Sequence, residues 1–144
     1  MEEVKVSKAQ IRKYEDLIEN RIKATLAQEV EQLRELSSSV EQYEVLKTNI
    51  EVMKRDSKSS VSSLVNLGSE VYAQAKAQDR NHIFVNIGLG FFVEFTLDEA
   101  LAFIEKKLAQ LHADLVRKNE DVERVKQHYY SAIHALEQLK DTVA

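Results

Sequence analysis

The 144-residue chain contains no proline, no cysteine and only three glycines. Average usage would place roughly 7 prolines and 10 glycines in a chain of this length. Most of the chain therefore lacks the usual helix breakers. The absence of cysteine excludes disulfides, thiolate metal sites and a cysteine nucleophile. No large excess of charge exists either: 20 basic and 24 acidic residues give a net charge of −4. The two signs are interspersed, which argues against direct nucleic-acid binding, because phosphate contact needs a basic face. No run approaches the roughly 18 apolar residues of a membrane span. Met1-Glu2-Glu3-Val4-Lys5 lacks the basic-then-apolar pattern of a secretory signal. One domain with no membrane contact is expected, in the cytoplasm and possibly the nucleus.

What the chain does contain is periodic. From Ile11 through Tyr14, Ile18, Ile22, Leu26, Val30, Leu33, Leu36, Val40, Tyr43, Leu46 and Ile50 to Met53, apolar residues recur at a mean step of 3.5. That is the period of a left-handed coiled coil. From Tyr14 to Val30 every step is four, so the supercoil should locally unwind there. Ser7 with Gln10 has the spacing of a capping box, and Val6 with Ile11 that of a hydrophobic staple. The spacing predicts a helix over about 7–58.

A second helix is predicted over about 97–143. Steps of four and three alternate through Leu97, Leu101, Ile104, Leu108, Leu111, Leu115, Lys118, Val122, Val125, Tyr129, Ala132, Leu136, Leu139 and Val143. Lys118 is the single charge on this stripe and would favour one register at a cost in stability. Thr96 with Glu99 repeats the capping-box spacing.

Between the helices the period changes to two. Val71 to Ala77, Ile83 to Ile87 and Phe91 to Phe95 alternate as strands with one buried face. Gly88-Leu89-Gly90 suits a tight hairpin, since glycine accepts positive φ. Asp79-Arg80-Asn81 supplies a second connection, and Leu64-Val65-Asn66-Leu67 a further short strand. Two hairpins are expected over about 63–96. The architecture is mainly α with a small β part: an antiparallel two-helix coiled coil with two β-hairpins at the bend. The helices would be roughly 75 and 70 Å long.

Such a coil cannot cover a sheet placed at its end. Ile83, Val85, Ile87, Phe91, Val93 and Phe95 would stay bare, forgoing on the order of 10 kcal/mol of burial. Other chains would then have to supply strands. Val71, Ile83, Val85, Ile87, Gly88, Gly90, Phe91, Val93 and Phe95 are the expected oligomerisation sheet.

No constellation supports catalysis. His82, His112, His128 and His134 lack the i,i+4 spacing of a helical zinc pair. Gly88-Leu89-Gly90 lacks the third glycine of a dinucleotide fingerprint, because Val93 stands there and no helix follows directly. No enzyme activity, metal or cofactor is expected.

A heptad helix, two hairpins and a second heptad helix resemble an α-type prefoldin subunit over nearly the whole chain. The most specific stretch is Val85-Asn86-Ile87-Gly88-Leu89-Gly90-Phe91-Phe92-Val93-Glu94, leading into Thr96-Leu97-Asp98-Glu99-Ala100-Leu101. The Gly90-Phe91-Phe92 run and the Thr96 to Leu101 run are more similar to a divergent prefoldin-like branch than to the standard subunits. Val65-Asn66-Leu67-Gly68 departs from the family's frequent Val-Pro-Leu, and Ala73, Ala75 and Ala77 are weak strand formers.

The resemblance implies a hetro-oligomer with β-type, and possibly second α-type, prefoldin subunits. It implies coiled-coil tips that hold non-native client proteins without ATP. Clients would pass to a chaperonin or, for the divergent branch, to machinery with RuvB-like ATPases. Tip candidates are Val4, Val6, Ile11, Leu136, Leu139 and Val143. Ile11, Leu136 and Leu139 also read as coiled-coil stripe. The alternative is a coiled-coil transcriptional cofactor or scaffold without client-holding activity.

Overall fold

The computed structural model describes residues 7–56 and 60–143. Its elements run α1 (Lys8–Leu17), a π-helical turn (Ile18–Ile22), α2 (Lys23–Arg55), β1 (Val61–Gly68), β2 (Val71–Ala77), β3 (His82–Gly88), β4 (Phe91–Thr96) and α3 (Leu97–Val143). They form two compact units. One combines the residues up to Ser39 with those from Leu111 onward, and the other spans 40–110.

In the first unit, α1 and the π-turn pack antiparallel to the later part of α3. Glu15 pairs with Lys140 and Glu29 with Lys118, so one helix ascends as the other descends. Ile11, Ile18 and Leu136 form the core, with Ile22, Tyr129, Ala132 and Ile133 against it. Ser7 and Gln10 close a reciprocal capping box, with bonds of 2.8 and 3.3 Å.

The π-turn falls inside the run of four-residue steps. Each such step overshoots a 3.6-residue turn by about 0.4 residue, so a stripe of them drifts off its face. The chain absorbs the excess with one wide turn, closed by the Lys23 N–H donating to the Ile18 carbonyl. The buried stripe also departs from the apolar spacing at two places on either side of this turn. Tyr14 and Val30, expected inside, are exposed, and Glu15 and Glu29 are half-buried in their stead.

In the second unit Ile50, Ala100 and Ile104 are almost fully buried. Lys54 pairs with Asp98, and Lys47 with Glu105 at 3.2 Å, again antiparallel. Thr96 and Glu99 cap the start of α3, with bonds of 2.9 and 3.2 Å. The strands form two separate antiparallel hairpins, β1–β2 and β3–β4. The first strand begins at Val61, three residues before the expected Leu64, and the alanine-rich β2 forms in full.

Both hairpins turn by the same device. Val65-Asn66-Leu67-Gly68 and Val85-Asn86-Ile87-Gly88 are near-copies 20 residues apart. In each, the register slips between the asparagine and the glycine. The Asn66 and Asn86 side-chain oxygens accept from the N–H of Gly68 (2.7 Å) and Gly88 (2.9 Å). Those glycines stand at φ of 107° and 114°, a backbone that only glycine adopts without strain.

Candidate functional site: the outward faces of the hairpins

The expected oligomerisation sheet is covered in part by the chain itself and exposed in part. Val85 is 5% exposed, and Ile83, Val93 and Phe95 are half-buried. Phe95 stacks on Phe103 of α3, with ring centroids 5.6 Å apart. An open groove of about 570 Å³ between α2 and β3 has Leu46, Ile50 and Met53 on one side and Ile83 and Val85 on the other. The part of the second hairpin around Val85 therefore lies against the helices, which corrects the expectation that its whole inner face is bare. Of that face only Ile87 and Phe91 remain exposed. Gly88 and Gly90 shape the turn, and Val71 is exposed beside the turn of the first hairpin.

Further exposed apolar surface lies on the opposite face. On β3–β4, Phe84 is 71% and Phe92 65% exposed, with Leu89 at the tip almost wholly exposed. The register pairs Phe84 with Glu94 and Asn86 with Phe92, so the two phenylalanines sit diagonally. The first hairpin repeats the arrangement. Leu64 pairs with Gln74 and Asn66 with Tyr72, placing Leu64 and Tyr72 on the corresponding diagonal, 68% and 51% exposed. Alternation makes Phe84 and Phe92 face away from the covered side. The repeated Val-Asn-x-Gly segments were the sequence signal for this equivalence.

Charge near this surface is modest. Glu94 and Lys76 are exposed. At the connection between the hairpins, His82 Nδ1 lies 2.8 Å from Asp79 Oδ2. Hydrogen bonding to Asp79, then its charge, raises the His82 pKa above the ordinary histidine value. Asp79 is lowered, first by the Asn81 backbone N–H and then by His82. Among the described residues, no group of acidic or histidine side chains is placed to hold a metal ion, and no helix is long and apolar enough to cross a membrane.

The tip candidates divide differently. Ile11 and Leu136 are buried in the coil core and Leu139 is half-buried. Val4, Val6 and the Val143 side chain lie outside the described residues.

These features have counterparts in known proteins. The prefoldin subunit family matches residues 22–141. The Protein UXT homolog of Nematostella vectensis is 38% identical over 132 residues, covering 90% of this chain and 83% of that protein. The prefoldin subunit alpha of Pyrococcus horikoshii is 29% identical over 85 residues, covering 59% of this chain and 55% of that protein. Among solved structures, the filamentous PFD of Methanocaldococcus jannaschii has a chain with a TM-score of 0.58 at 18% identity, covering 81% of this chain and 98% of that one. That likeness is one of fold. Two helices with a paired heptad stripe, two hairpins between them and a family match over most of the length make one conclusion: this chain is a UXT-like member of the prefoldin family.

Proposed function

We propose that the chain is a subunit of a prefoldin or prefoldin-like hetero-oligomeric co-chaperone, assembled through its hairpins with β-type and possibly second α-type subunits. The observation that carries this reading is the bare apolar diagonal on both hairpins, Leu64 with Tyr72 and Phe84 with Phe92. Fully burying side chains of this kind is worth about 1.5–3 kcal/mol each, a strong drive toward partner strands. Exposed apolar strands without partners would otherwise template aggregation.

The assembled complex holds non-native or assembling proteins without ATP and without enzymatic chemistry. Contacts at the coil ends are individually weak, and several projecting coils acting together compensate through avidity. The candidates for such contact are Val4, Val6, Leu139 and Val143, of which Leu139 is half-buried near the end of α3. Chaperonin or RuvB-like ATPase machinery would receive the client.

The test is to form the complex with β-type prefoldin subunits and follow aggregation of a chemically unfolded model protein without ATP. The proposal expects delayed aggregation at stoichiometric complex. No delay at stoichiometric excess would leave the other reading, a scaffold or transcriptional cofactor without client-holding activity.

A further inference from the structure

The two hairpins are held unequally. The second is anchored by Val85, Phe95 and their helix contacts. The first leaves Leu64, Val65, Leu67, Val71 and Tyr72 exposed, and only Val61, Ala73 and Ala75 of its strands are half-covered. A two-stranded hairpin with so little burial is marginal in water. Something beyond its own ladder must fix its position.

The connection between the hairpins contains that element. Arg80 turns inward, with its side chain 10% exposed. Its guanidinium donates to the carbonyls of Met53 and Asp56, each at 2.9 Å. The Asp56 carboxylate lies 3.9 Å away. Helix α2 ends at Arg55, so Met53 carries one of the last carbonyls, which lack helical partners. A cation at a helix C-terminus is also favoured by the helix dipole. Next along the chain, the Asn81 carbonyl accepts from the Leu97 N–H at 3.2 Å. One short connection thus grips the end of α2 and the start of α3.

The guanidinium gives something up to do this. Its buried Nε has no partner among the described residues. Burying a charged group with one donor unmatched is costly, so the side chain is placed by its reach to the two carbonyls rather than by its own solvation.

We propose that Arg80 is a latch that ties the first hairpin to the helical frame and sets the orientation in which the two outward diagonals meet their partners. The second half of this statement rests on the hairpin-assembly reading above. The first half stands on the contacts of Arg80 alone.

The experiment is hydrogen–deuterium exchange on the full chain carrying Arg80→Met, which keeps length but removes the donors, and Arg80→Lys, which keeps charge but cannot fork to two carbonyls. In Arg80→Met, amides of β1 and β2 should exchange at least about tenfold faster, while those of β3, β4 and 97–110 stay within about twofold. Arg80→Lys should fall between. Unchanged β1–β2 exchange in Arg80→Met would overturn the latch. So would equal acceleration throughout 97–110, which would mark general destabilisation. In parallel, each variant is titrated with β-type prefoldin subunits and the complex mass measured. Weakened assembly of Arg80→Met supports the positioning role, and assembly equal to wild type despite faster β1–β2 exchange overturns it. If the wild-type chain itself fails to assemble, the functional reading falls while exchange still decides the latch.

Discussion

Lys118 of α3 places its Nζ 2.9 Å from Glu29 Oε2 and 2.6 Å from Gln32 Oε1 on α2. The Lys118 and Glu29 side chains are 24% and 23% exposed, so this is a half-dry contact within an apolar stripe. It explains why Glu29 rather than Val30 turns inward: a cation on one helix requires an acceptor across from it. Removing Lys118 strands a carboxylate in that setting. Lys118→Ala should lower stability by about 1–2 kcal/mol, below the value for a fully buried pair. Replacing both members together, Lys118→Leu with Glu29→Leu, should recover that loss or exceed wild type, as apolar substitution of buried pairs often does. Urea denaturation of the three proteins decides it. Equal stability of Lys118→Ala and wild type would show that the pair does not fix the register.

The two faces of the second hairpin predict opposite behaviour. Val85→Ser introduces a hydroxyl into the covered side and should cost about 2 kcal/mol in the isolated chain. Phe84→Ser, on the exposed diagonal, should change its stability by less than about 0.5 kcal/mol. Thermal unfolding of the isolated chain separates them. Similar losses for both would mean that the chain shelters Phe84 as well.

The turn device gives a backbone test. An added Cβ at Gly88 meets nothing within 4 Å, so space does not demand glycine there. The φ of 114° does. Gly88→Ala should therefore cost about 1 kcal/mol or more through strain alone. Gly68→Ala, at φ 107°, should behave alike. A neutral result at both would contradict the shared-bulge account.

The Asp79–His82 contact makes the inter-hairpin connection pH-sensitive. The His82 pKa is raised on folding, so its contribution is present below the ordinary histidine value and is lost as pH rises through the raised one. Asp79 is lowered, so its contribution is present above the ordinary carboxylate value and is lost as pH falls through the lowered one. Between the two the contact is complete. An NMR titration should place the His82 imidazole above about 6.5, and Asp79→Asn should return it toward that value. No change on Asp79→Asn would remove the contact from the account.

How legible was this in the sequence? The helices and the Gly88 to Gly90 turn were plain, because period and capping spacing are local properties. Apolar spacing places Tyr14 and Val30 inside because it does not register that Lys140 and Lys118, far along the chain, pair with Glu15 and Glu29 beside them. The apolar character of the covered face of β3–β4 is legible in the alternation. Alternation shows that Val85 is buried and does not show by what. Alternation puts Phe84 and Phe92 on the side of their strands shared with Asn86 and Glu94, which gives no reason to expect an apolar contact there. In the sequence Arg80 reads only as part of a turn, because its two carbonyl partners lie at a distant helix end.

The measurement that bears most directly on the central claim is the mass of the complex formed with β-type prefoldin subunits, determined by sedimentation equilibrium for wild type, Phe84→Ser with Phe92→Ser, and Leu139→Ser. Loss of the complex in the double variant, with helix content unchanged and Leu139→Ser still assembling, is the predicted result. Full assembly of the double variant would contradict the assignment of the outward hairpin face as the association surface.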